Sequence, residues 1–110
     1  MSTLQSGFEV IFITPQSRRH GGQYVTDAVI EQAGNLGITR VTKRTDLQGT
    51  GLSGHTHAAH FFELADQPIE LMYVLDGRAA ERLIQAVADA GIPVFCVRRA
   101  VQFGQLGEEV

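Results

Sequence analysis

Apolar strand-like segments and helical stripes follow one another in the order β-α-β-β-α-β. This order predicts an α+β fold of the ferredoxin-like type, a four-stranded antiparallel sheet with both helices on one face. Three observations carry the prediction. Phe8 to Thr14 and Ile69 to Leu75 are apolar, β-branched runs of strand length. Tyr24, Val25, Ala28, Val29, Ala33 and Leu36 recur at helical spacing, and so do Ala79, Ala80, Leu83, Ile84, Val87 and Ala88. A long polar stretch, Thr45 to His60, separates the second strand from the third.

In chain order, Phe8 to Thr14 carries one charge, Glu9, so it reads as a central strand covered on both faces and wet only at its end. Pro15 stops it, and 15–22 reads as a loop. The first helix begins near Gln23 and closes at Gly37, where a left-handed residue commonly ends a helix. Ile38 to Thr45 alternates, with Ile38, Arg40, Thr42 and Arg44 on one side and Thr39, Val41, Lys43 and Thr45 on the other. Ile69 to Leu75 is the next strand. Asp76 caps the second helix, Gly91 ends it and Pro93 prevents its continuation. Val94 to Phe103 is the last strand, and Cys96 within it reads as inert packing. A polar tail occupies 104–110. The helices leave one sheet face open, where Ile11, Ile13, Met72 and Tyr73 are expected to be exposed. An apolar face of that size predicts a closed oligomer.

The polar stretch, TDLQGTGLSGHTHAAH, contains little that could fill a core. Its length marks a functional loop, about 45–60, presented by the rest of the chain. Gly49, Gly51 and Gly54, with Ser53, could cradle an anion through backbone amides. Lys43 and Arg44 at its root, and Arg98 and Arg99 in the last strand, could supply the positive charge. Ordering such a loop costs backbone entropy, so an effector held there would act as a switch. His55, His57 and His60 allow a second reading as ligands of a divalent metal, although no cysteine or carboxylate completes the set at a tight spacing. His20 with Arg18 and Arg19 could meet an anion at the start of the first helix, or form a plain surface loop. No nucleophile comes with a recognisable base, so an enzyme is not expected.

The 110 residues fit one domain, 1–110. A formal charge of −3 gives no general attraction to nucleic acid or to an anionic membrane. The single cysteine, the absence of a signal-like start and the absence of a long apolar run lead us to expect a reducing, cytoplasmic location with no membrane insertion.

HGGQYVTDAVIEQAGNLGITRVTKRTDLQGTG resembles the HGKPLYEAI…GIAGATVLRGIEGFG region of a bacterial PII-like family, an uncharacterised branch of the PII/CutA-type ferredoxin-like trimers. HAAHFFELADQPIELMYVL and VFCVRRAVQFGQLG are similar to that family's later segments, so the resemblance covers about His20 to Gly107. LQGTGLSG stands where PII proteins carry VKGFGRQKG at the base of their T-loop. The resemblance implies a homotrimeric signal-transduction protein, with a small effector such as an adenine nucleotide in subunit clefts. It also implies a regulated partner protein, such as a transporter or an enzyme, contacted through the long loop. The alternative is a CutA-like metal-binding trimer using the loop histidines. Two departures stand out. ADAGIPVF replaces the lysine-bearing glycine loop TGKIGDGKIF of ATP-binding PII proteins, and no tyrosine is present in the long loop for modification.

Overall fold

The structure is a computed structural model and describes residues 3–45 and 67–107. Its elements are β1 (Gln5–Pro15), β2 (Arg19–His20), β3 (Gln23–Tyr24), α1 (Val25–Asn35), β4 (Thr42–Thr45), β5 (Pro68–Leu75), α2 (Gly77–Asp89) and β6 (Phe95–Phe103). The main sheet has the order β4-β5-β1-β6 with every neighbour antiparallel. This is the ferredoxin-like arrangement. Apolar residues on both faces put β1 inside the sheet, as its sequence predicts.

Alternation then sorts the sheet into two sides. Val10 and Phe12 of β1 stand opposite Tyr73 and Leu71 of β5 and face the helices. There they meet Val25, Ala28 and Val29 of α1 and Ala80, Leu83 and Val87 of α2 in one core. Deleting a side chain such as Leu83, fully buried, would cost about 2–5 kcal/mol. Tyr73 therefore lies inside the core, 1% exposed, with its ring edge-on to Phe12 at 6.1 Å. The expectation that it would face outward fails by one step of the strand alternation.

Ile11 and Ile13 do face away from the helices, yet both are buried within the single chain, with Met72 and Val97 packed against them. The large apolar residues left exposed on that side are Val74 and Phe95. Glu9 is not wet either. Its carboxylate is covered and accepts a hydrogen bond from Arg99 Nε at 2.5 Å, across the register pair that joins β1 to β6.

Both helices end as the glycines predict. After α1, Gly37 N–H donates to Gly34 and Ile38 N–H to Ala33; after α2, Gly91 and Ile92 repeat the pattern on Ala88 and Val87. Asp76 caps α2, accepting from Ala79 N–H at 2.8 Å. The strand expected from Ile38 is hydrogen-bonded only from Thr42. Cys96 is exposed, a correction to its reading as buried packing: β6 lies at the sheet edge, where one side has no neighbour among the described residues. Burial of its surroundings still raises the thiol pKa, and the charge of Arg98 opposes the rise.

Candidate functional site

The segment 15–22 is more than a loop. Arg19–His20 pairs with Gln23–Tyr24 across a tight turn in which Gly21 and Gly22 both take positive φ, 59° and 84°. Only glycine adopts two such angles in succession at little cost, and two-residue hairpins of this hand need them. The hairpin is braced from both ends. Arg19 donates to the Gly22 carbonyl at 2.9 Å while its guanidinium sits 4.7 Å from the centroid of the Tyr24 ring. Gln23 donates to Glu31 of α1 at 3.1 Å. The result is a tyrosine, 45% exposed, held at the first turn of α1.

Tyr24 lines a cleft of about 480 Å³ with Gln16, Thr26, Asp27, Lys43 and Ile69. Three chain segments meet there: the turn after β1, the start of α1, and the edge formed by β4 and β5. Thr45 of β4 stands opposite Ile69 of β5, and Gln16 N–H donates to the Gln67 carbonyl at 2.8 Å. The chain thus leaves β4 and rejoins β5 beside this cleft.

The expected effector residues are not all brought together. Lys43 points to the helix side and into the cleft, whereas Arg44 lies on the opposite sheet face, across from Glu70. Arg98 and Arg99 belong to β6 at the far edge, three strand spacings or on the order of 14 Å from β4. They also part company. Arg98 turns toward α2, bonding Glu81 at 3.0 Å and covering the Phe8 ring at 5.0 Å, while Arg99 takes the other face with Glu9. Gly49, Gly51, Ser53 and Gly54 lie outside the described residues, as do His55, His57 and His60. Among the described residues no group of three His, Cys, Asp or Glu side chains could hold a metal ion. No helix among them is long and apolar enough to cross a membrane.

Sequence reasoning missed Gln16, Tyr24, Thr26 and Asp27. The signal for Tyr24 was the Gly21-Gly22 pair, a hairpin turn that leads into helix α1.

The sequence matches no protein-family model and no curated protein. The fold does have counterparts among solved structures. CPII from Thiomonas intermedia K12, bound to ADP, AMP and acetate, superposes with a TM-score of 0.64 at 13% identity, over 93% of this chain and 92% of that one. CPII bound to ADP and bicarbonate gives 0.60 at 13% identity, over 93% and 92%. A candidate PII-like signalling protein from Thermus thermophilus gives 0.60 at 16% identity, over 94% of each chain. The chain therefore has the fold of PII-like signalling proteins.

Proposed function

We propose that the protein is a PII-like regulator rather than an enzyme: it binds a small effector and passes the bound state to a partner protein through the long polar loop, about 45–60, which lies outside the described residues beyond Thr45. The observation that carries this reading is the fold, shared over more than nine-tenths of the chain with proteins of that class. An adenine nucleotide is the first effector to test, because the CPII structures hold ADP or AMP. The ends of β4 and β5, between which the long loop runs, lie beside a cleft of small-ligand size, and this suits a device in which binding alters partner contact.

The protein acts as a homotrimer in this reading. Among the described residues β4 and β6 are both unpaired on their outer sides, and Val74 and Phe95 are exposed on the sheet face away from the helices. If the β6 edge of one copy approaches the β4 edge of the next, Arg98 and Arg99 come near Lys43 and Arg44, which a single chain keeps apart. Such a head-to-tail contact closes into a ring.

Two measurements test the proposal. Sedimentation at micromolar concentration should give three times the chain mass, and a stable monomer would overturn the assembly. Calorimetric titration with ADP and AMP should release or absorb heat at saturable sites. Absence of binding to both would remove the nucleotide from the reading.

A further inference from the structure

We propose that Tyr24, backed by Arg19, is the stacking wall of the effector site, and that the cleft beside β4 takes a flat heteroaromatic ring carrying an amine and an anionic group. This rests on the effector reading above and assigns to it a place and a recognition chemistry.

A tyrosine left nearly half exposed beside a polar cleft keeps apolar ring surface in water. The hairpin does not let it turn away. Arg19 occupies one face of the ring and is itself tied to the Gly22 carbonyl, and Gln23 is tied to α1, so the ring is held in place before any ligand arrives. Arg19 does not line the cleft and Tyr24 does, which leaves the uncovered part of the ring available to a ligand there. A preset aromatic surface suits a planar partner, because little ordering remains to be done on binding.

The polar groups narrow the class. Lys43 offers a positive charge from the β4 edge, and Asp27 offers a carboxylate from the first turn of α1. A ligand with only negative charge would meet Asp27 unfavourably. One that sets an N–H donor toward Asp27 and an anionic group toward Lys43 satisfies both, and a base with an exocyclic amine and a phosphate has that pattern. At about 480 Å³ the cleft lies within the range of small-ligand sites. Ile69 and Gln16 connect the site to the strand ends that flank 46–66, so a bound ring would touch the residues from which that stretch departs.

The test uses the full chain with ADP and AMP as probes. Calorimetry on Tyr24→Leu should show affinity lowered by about tenfold or more, the weight of one base stacked on an aromatic side chain. Tyr24→Phe, which keeps the ring, should restore most of that loss. Arg19→Gln should lower affinity less than Tyr24→Leu, and Lys43→Gln should remove part of the salt dependence. A second readout is independent of affinity. The chain has two tyrosines and no tryptophan, so in Tyr73→Phe the emission comes from Tyr24 alone. Nucleotide addition, corrected for absorbance, should quench it. Binding heat with unchanged emission, or with equal affinity in Tyr24→Leu, overturns the assignment and leaves the effector reading standing. Absence of heat with both nucleotides in the unsubstituted protein overturns this assignment and removes the nucleotide from the effector reading.

Discussion

The ring of Phe103 lies where a β-carbon on residue 7 would be, so Gly7 is required by a residue near the other end of the chain. The two strands are in register there, Gly7 opposite Val101 and Gln5 opposite Phe103. A β-carbon at Gly7 would overlap Phe103 Cε1 and also the carbonyl oxygen of Leu75. The first clash could be relieved by turning a ring. The second is with backbone and could not. Gly7→Ala should therefore destabilise the fold by about 1–3 kcal/mol in urea unfolding, and adding Phe103→Leu should recover only part of the loss. Full recovery would show that the ring alone sets the constraint.

Two ion pairs on β6 should differ in weight. Glu9 is largely covered and its bond comes from Arg99, so Arg99→Ala strands a buried carboxylate and should cost about 1.5–3 kcal/mol. Glu81 is mostly exposed, and Glu81→Ala should cost under about 1 kcal/mol. Equilibrium unfolding of the two variants decides the order. Equal costs would mean that the cover over Glu9 contributes nothing.

Tyr73 keeps its hydroxyl buried with no hydrogen-bond partner among the described residues. Removing it should help, and Tyr73→Phe should be neutral or up to about 1 kcal/mol more stable at pH 7. Burial raises the phenol above its ordinary value of 10.0. Below that pH the group is neutral in both states and stability does not depend on it. Above it the unfolded chain ionises first, so stability falls as the pH rises through the raised native value. The variant should lose less stability than the parent between neutral pH and pH values above 10. Identical pH profiles would show that the phenol is free to ionise in the fold.

Cys96 is exposed but its thiol is harder to ionise than usual. Native protein should react with a small thiol reagent, more slowly than the denatured chain at the same pH. Arg98 holds the pKa down, so Arg98→Ala should slow the native reaction further. A faster reaction in that variant would show that Arg98 shields the sulfur rather than favouring its thiolate.

Where local pattern decides, the sequence was readable. FEVIFIT lacks a wet face and became the inner strand; the stripe from Ala79 to Ala88 became α2; Gly37 and Gly91 closed their helices as expected. What could not be read was set by partners far away in sequence. Glu9 looked exposed because Arg99, 90 positions on, is not visible in a seven-residue window. Cys96 looked buried because VFCVRRAVQF has the composition of an inner strand, and only the sheet order reveals that it is an edge. The basic residues read as one set in the sequence, yet topology divides them between two edges and two faces. Tyr24 fits the spacing of the first helical stripe, but the glycine turn places it in β3 beside the cleft.

Pairing Gln5 with Phe103 also brings the start of β1 alongside the finish of β6, and Gly104 passes so close to the Thr3 carbonyl that a β-carbon would not fit between them. The polypeptide thus comes back to the corner where its first strand began. No described residue outside their chain neighbours lies within 4 Å of the side-chain positions of Gly21 and Gly22 at the tip of the small hairpin. A circularly permuted gene, joining the C-terminal tail to the N-terminus by a short flexible bridge and opening between those two glycines, would keep every neighbour in the main sheet while rewriting the order in which they are synthesised.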